Sequence, residues 1–181
     1  RYILTLTNKE VWFLFRNMVK DWFGRYQVPT YYNEFIKALL KDDVRRMNTF
    51  MNRVALETFS FFDTGNKPSE KTQPERFYHG FVLGMIVNLS DRYKVSSNRE
   101  SGYGRYDVML EPFDKKEKAF IFEFKVLDAD DGERTLEDTV ANALAQIEEK
   151  QYGTALIASG FAPENIRKYG FAFQGQICLI G

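Results

Sequence analysis

The chain has 181 residues, with 25 Lys/Arg balanced by 25 Asp/Glu, and 44% of it is hydrophobic and 16% aromatic. That composition excludes a disordered or fibrous chain, and the length suits one well-buried domain or a compact domain with an appendage. Cys178 is the single cysteine and His79 the single histidine, which excludes disulfides, thiolate zinc sites and multi-histidine metal sites, and argues against a histidine-dependent nucleophilic triad.

Hydrolytic chemistry in such a chain falls to carboxylates, lysines and a hard metal. Cys178 sits in an apolar terminal run, ICLI, and a reducing, cytoplasmic setting fits. The longest apolar stretch, Gly80 to Leu89, is too short to cross a bilayer. The chain opens on Arg1 without a methionine, which reads as a piece of something longer. Charge is unevenly spread. Residues 1–72 hold 12 basic against 8 acidic side chains (+4) and residues 73–181 hold 13 against 17 (−4), so the second part carries no broad basic footprint.

In chain order, residues 9–23 place Val11, Leu14, Phe15, Met18, Val19 and Trp22 at helical spacing behind a capping Asn8. Residues 31–62 read as two further helices broken near Lys41-Asp42-Asp43. The polar run 64–73 (TGNKPSEKTQ) reads as a linker. The expected division is a helical segment over 1–63, the linker, and a domain over 74–181. Past Pro74 the spacing predicts a helix over 75–89. Strands are then expected over 93–98, 105–111 and 118–127, separated by the glycine turn Ser101 to Gly104 and the charged turn Pro112 to Glu117. Residues 135–151 return to helical period, with Leu136, Val140, Leu144 and Ile147 on one stripe. Two last strands are expected near Ala155–Ser159 and Phe171–Ile180. The order is helix, three strands, helix, two strands, an α/β fold with a mixed sheet and packed helices.

The stretch AFIFEFKV (119–126) carries the chemistry. Alternation along a strand puts Phe120, Phe122, Phe124 and Val126 on one face, and Ile121, Glu123 and Lys125 on the other. In the preceding strand Asp107 shares a face with Met109. A hairpin is the simplest arrangement of the two strands, and if it puts Asp107 on the face of Glu123 and Lys125, two carboxylates and a lysine come together. Clustered carboxylates repel unless a cation lies between them, and Mg²⁺ or Mn²⁺ suits such an all-oxygen site. Those parts describe metal-assisted phosphodiester hydrolysis, with the lysine positioning water or neutralising charge on the phosphate. A Glu-x-Lys pair on a strand is also an ordinary surface feature. Glu148-Glu149-Lys150 has the same spacing on a helix, where residues two apart face different ways.

The run SGYGRYD (101–107), EFK after a gap of fifteen residues, and helices carrying ERFYHGF (75–81) and AQIEEKQY (145–152) resemble the PD-(D/E)XK nuclease superfamily. The closer resemblance is to the nuclease-like domain that follows an ATPase-like domain in bacterial and archaeal proteins. It covers about residues 73–181, with Tyr106 where the superfamily's name has proline. It implies a restriction-endonuclease-like core of four to five mixed strands flanked by helices, and divalent-metal cleavage of nucleic acid, DNA ahead of RNA. It implies that Asp107, Glu123, the Phe124 backbone carbonyl and Glu75 hold Mg²⁺ or Mn²⁺. Lys125 would be the catalytic lysine and Gln146 a polar residue orienting phosphate or Lys125. It further suggests that residues 1–63 end an upstream ATPase-like region.

Other features stay open on sequence. Glu75 also suits the first turn of its helix through the dipole. His79, one turn on, reads as a structural hydrogen-bonding residue or a base. Arg105 and Arg99 are placed to grip phosphate, and Glu100 is a spare acid. A catalytically silent module of the same fold, binding nucleic acid or protein, is the alternative.

Overall fold

The computed structural model describes residues 28–58, 72–101 and 104–181. The helix expected over 9–23 and the linker up to residue 71 lie outside the described residues. Among the described residues the first helix, α1, is Val28–Lys41 and α2 is Val44–Thr58. They break where the sequence turns acidic, at Asp42, whose φ of 63° is left-handed. Asp42 N–H donates to Leu39 O at 3.0 Å and Asp43 N–H to Ala38 O at 2.9 Å, the paired reverse bonds that close a helix C-terminus. The next helix, α3, is Thr72–Ile86, followed by a 3₁₀ turn over Val87–Asp91.

The sheet follows. Strands β1 (Tyr93–Ser101), β2 (Gly104–Pro112) and β3 (Ala119–Val126) form an antiparallel meander. Then come α4 (Leu136–Glu149), the short α5 (Thr154–Ala158), β4 (Ile166–Gln174) and β5 (Ile177–Ile180). The five strands lie in chain order across the sheet, and β3–β4 is its parallel pair, joined through α4 and α5. The helix α4 starts on a capping box: Asp138 N–H donates to Thr135 Oγ1 while the Asp138 carboxylate accepts from Thr135 N–H.

The expected α/β mixed sheet is present with five strands, but the last two do not lie where the sequence suggests. Residues 155–159 are not a strand: α5 (Thr154–Ala158) and its C-cap Ser159 occupy them, and α5 exposes all of itself except Leu156. A five-residue apolar run has no period long enough to tell a buried strand from a half-turned helix. The penultimate strand starts at Ile166, where Arg167 and Lys168 obscure the apolar pattern. The turn Gly175-Gln176 splits residues 171–180 into a hairpin.

Two cores flank the sheet. On one face Phe120, Phe122, Phe124, Tyr169, Phe171 and Phe173 pack against Phe35, Leu39, Met47, Met51, Tyr78 and Val82 from α1, α2 and α3. On the other Met109, Ile121 and Ile166 pack under Ile147, Tyr152, Leu156 and Phe161. Contact of α4 with β4 is close at Gly170, where a Cβ would lie 2.9 Å from Val140 O and 3.0 Å from Ala143 Cβ. Glycine there lets the helix sit low on the sheet, with its inner face over β3.

Candidate active site

The phenylalanines of β3 point to the first core and Ile121 to the second, so alternation turns Glu123 toward α4. In β2, Val108 and Leu110 enter the first core and Met109 the second, which gives Asp107 the same face as Glu123. The β2–β3 register pairs Leu110 with Phe120, Met109 with Ile121 and Val108 with Phe122. One step further, the strands part. Asp107 Oδ2 accepts the Phe124 N–H at 2.9 Å, so a carboxylate bridges the gap between the two strands. Past that point β2 stays paired only with β1, as far as Ser101 opposite Gly104.

Glu123 is 3% exposed. Gln146, on the inner face of α4, donates its Nε2–H to Glu123 Oε1 and lies 3.3 Å from the Tyr152 hydroxyl. Tyr152 reaches this position because α4 ends abruptly. Gln151 is left-handed (φ 52°), Gln151 N–H donates to Glu148 O at 3.0 Å, and Tyr152 N–H to Ile147 O at 3.2 Å. The chain folds back and its ring packs into the second core.

Electrostatics follow from this burial. Burial raises the Asp107 pKa above the usual carboxylate value, opposed by the Phe124 N–H and the Lys125 charge. Burial also raises the Tyr152 hydroxyl. The Gln146 bond opposes that rise, and the carboxylates of Glu123 and Asp107 add to it. The half-buried Lys125 also acts on Glu133, a buried acid in the loop after β3. Burial pushes Glu133 up, but hydrogen bonds from Thr139 Oγ1 (2.7 Å), Asp128 N–H (3.0 Å) and Asn142 Nδ2 (2.7 Å), with the Lys125 charge, hold it below its ordinary value.

The structure therefore gathers Asp107, Glu123, Lys125 and Gln146 of the residues singled out in the sequence. The backbone of Glu75 lies in the first turns of α3, while its side chain falls outside the described residues, as do those of Arg99, Glu100 and Arg105. The backbone register sets Arg99 opposite Tyr106, and Arg105 opposite Glu100. His79 lies on the other face: its Nε2 is 2.9 Å from Ser97 Oγ and its ring stacks 5.5 Å from Phe124. Tyr152 and Glu133 were not singled out as site residues. Tyr152 closes the AQIEEKQY motif, a signal that was there to use. Glu133 sits in a charged loop with no such mark.

Among the described residues, no group of three or more His, Cys, Asp and Glu side chains could hold a metal ion by themselves. The donor set of Asp107 and Glu123 still fits a hard divalent cation. Both offer carboxylate oxygens on one face, and burial disfavours the charged form of Asp107 unless a cation compensates it. Among the described residues no helix is long and apolar enough to cross a membrane.

No curated protein and no solved structure matches this chain. The family model of the PD-(D/E)XK nuclease superfamily matches residues 73–181. That span holds α3 from its second residue, all five strands, both acids, Lys125 and the helix carrying Gln146, in a mixed five-stranded sheet flanked by helices of the restriction-endonuclease-like kind. On that match the chain belongs to the PD-(D/E)XK nuclease superfamily.

Proposed function

We propose that this chain is a divalent-metal-dependent nuclease that hydrolyses phosphodiester bonds in nucleic acid, DNA ahead of RNA. We take it as the C-terminal effector part of a longer cytoplasmic protein, with residues 1–63 ending an upstream ATPase-like region. The observation that carries the reading is the break between β2 and β3, which leaves Asp107 bonded to Phe124 N–H on the face of Glu123. Family membership supports it, because PD-(D/E)XK nucleases typically use divalent metals.

Asp107, Glu123 and the Phe124 carbonyl, with Glu75, would hold Mg²⁺ or Mn²⁺. When bound, such an ion supplies Lewis-acid polarisation of the phosphoryl oxygen. The side chains do the rest. Gln146 fixes the orientation of Glu123, so that the carboxylate needs little reorganisation when substrate arrives. Lys125 presents an ammonium to the non-bridging oxygens and to the attacking water, where negative charge builds in the transition state. The water oxygen bonds to phosphorus, the bond to the leaving sugar oxygen breaks, and a proton ends on that oxygen. Arg105 and Arg99 would grip flanking phosphates. The net charge of −4 over residues 73–181 leaves part of the grip to residues 1–72 or to another chain.

Purified protein with Mg²⁺ or Mn²⁺ is expected to cut DNA or RNA, and Asp107→Ala or Lys125→Ala should each lower the rate by at least a hundredfold. Cleavage that survives both substitutions overturns the assignment of roles. Calorimetry with Mn²⁺ separates a nuclease from a silent module: heat of binding lost in Asp107→Ala supports the metal site, and no binding by the unaltered chain supports the module.

A further inference from the structure

The lysine of the helical Glu-x-Lys decoy has a place in the fold that its sequence position does not suggest. Lys150 is the C-cap of α4. A helix C-terminus favours a cation in general, but that accounts for the charge and not for where the stem goes. The stem lies over the start of β2: a Cβ added at Gly104 would be 3.2 Å from Lys150 Cγ, 3.2 Å from Lys150 Cδ and 3.2 Å from Tyr152 Cε1. That Tyr152 ring ends in the hydroxyl beside Gln146, and Gln146 holds Glu123. Gly104 is three residues before Asp107, on the stretch of β2 that has left β3.

We propose that Lys150 is a phosphate-contacting residue of this site, gripping the nucleic-acid backbone next to the scissile bond, and that Gly104 keeps the strand surface bare so that it can. The inference rests on the nuclease reading above and extends it. Lys150 is exposed and makes no ion pair with any described residue. On the same helix end Glu148 is already engaged, by Lys168 at 2.6 Å. A long cation laid along a glycine at the rim of an acidic site places positive charge where a polyanion must pass. It also offsets, at that one point, the acidic balance of residues 73–181. A side chain at position 104 would push Lys150 and Tyr152 aside together.

The test measures binding apart from cleavage. Fluorescence anisotropy with labelled duplex and single-stranded DNA, Ca²⁺ replacing Mg²⁺, gives the affinity across a salt series. Lys150→Ala should weaken binding several-fold at about 0.1 M salt and reduce the slope of log K on log salt by about 0.9 for duplex or about 0.7 for a single strand, the loss of one phosphate contact. In cleavage assays the same variant should raise KM more than it lowers kcat. Lys150→Arg should restore most of the affinity, and Gly104→Ala should repeat part of the loss. Lys116→Ala, in the turn at the other end of β2, should change nothing. Tight binding by the unaltered chain that Lys150→Ala leaves intact in affinity and slope overturns this inference alone. Failure of the unaltered chain to bind DNA or RNA of any form overturns the nuclease reading and the inference with it.

Discussion

Asp42 shows how much a single side chain can do outside the site. Its left-handed backbone ends α1, and aspartate accepts that conformation more readily than most residues. Its carboxylate then accepts from the Tyr169 hydroxyl, Arg167 Nε (2.5 Å) and Lys118 Nζ (3.0 Å), joining the α1–α2 corner to β4 and the start of β3. Burial alone would raise its pKa, but the three donors win and hold it near about 2, against an ordinary 3.8. A carboxylate depressed in the folded state stabilises the fold above its unfolded pKa, and that stabilisation drains away as pH falls from about 4 through about 2. The shift corresponds to at most about 2.5 kcal/mol, and partial exposure reduces this to about 1–2 kcal/mol. Asp42→Asn should therefore lose about 1–2 kcal/mol in urea melts at pH 7 and almost nothing at pH 2; an equal loss at both would mean that charge plays no part. The residue scale was unevenly legible in sequence. Asp107 and Glu123 could be named because strand alternation fixes the faces they occupy, whereas Gln146 was named through the family resemblance of its helix. Asp42 was visible only as a helix break, since Tyr169 and Arg167 lie more than a hundred residues away and no local pattern reports such a partner.

Among the elements, the helix–strand contact at the sheet edge is the least expected. Asn48 and Asn52 are one turn apart on α2, and each exchanges two hydrogen bonds with the outer edge of β5. Asn52 Oδ1 accepts Cys178 N–H at 2.9 Å and its Nδ2 donates to Cys178 O at 2.6 Å; Asn48 does the same with Ile180 at 2.8 and 2.7 Å. A side-chain amide carries the same donor and acceptor as a peptide, so the two residues stand in for a sixth strand and cover an edge that would otherwise invite pairing between chains. Asn52→Ala should cost about 1–3 kcal/mol by stranding two buried backbone groups. Hydrogen exchange offers the sharper check: the Cys178 amide should lose protection while Ile180 keeps most of its own. If both amides open equally, the helix is held by its apolar face and the asparagines are incidental. At this scale the sequence revealed the three strands β1, β2 and β3, the β2–β3 hairpin and the α4 stripe, whose periods run long enough to read. It did not reveal α5, because five apolar residues fit either period. Nor did it reveal the pairing of α2 with β5, because asparagines on a half-buried helix face look like ordinary surface.

For the whole molecule, the family match begins at residue 73, yet the first core does not end there. Phe35, Leu39, Met47 and Met51 are fully buried, against the same phenylalanines that give β3 and β4 their apolar face. Burying each contributes about 2 kcal/mol, together about 8 kcal/mol, comparable with the entire stability of a typical domain, about 5–15 kcal/mol. Cutting at the expected linker would also uncover the β5 edge. A fragment of residues 73–181 is therefore expected to aggregate or to bind a hydrophobic dye without a cooperative melt, while residues 28–181 should unfold in one sharp transition. A sharp melt and dispersed amide spectrum from 73–181 alone would show that the helices are an appendage, as the division read from the sequence has it. The outcome bears on function as well as boundaries. If α1 and α2 are integral to the sheet, a displacement of either helix reaches β3, and with it Glu123 and Lys125, through the packed phenylalanines rather than through a loose tether.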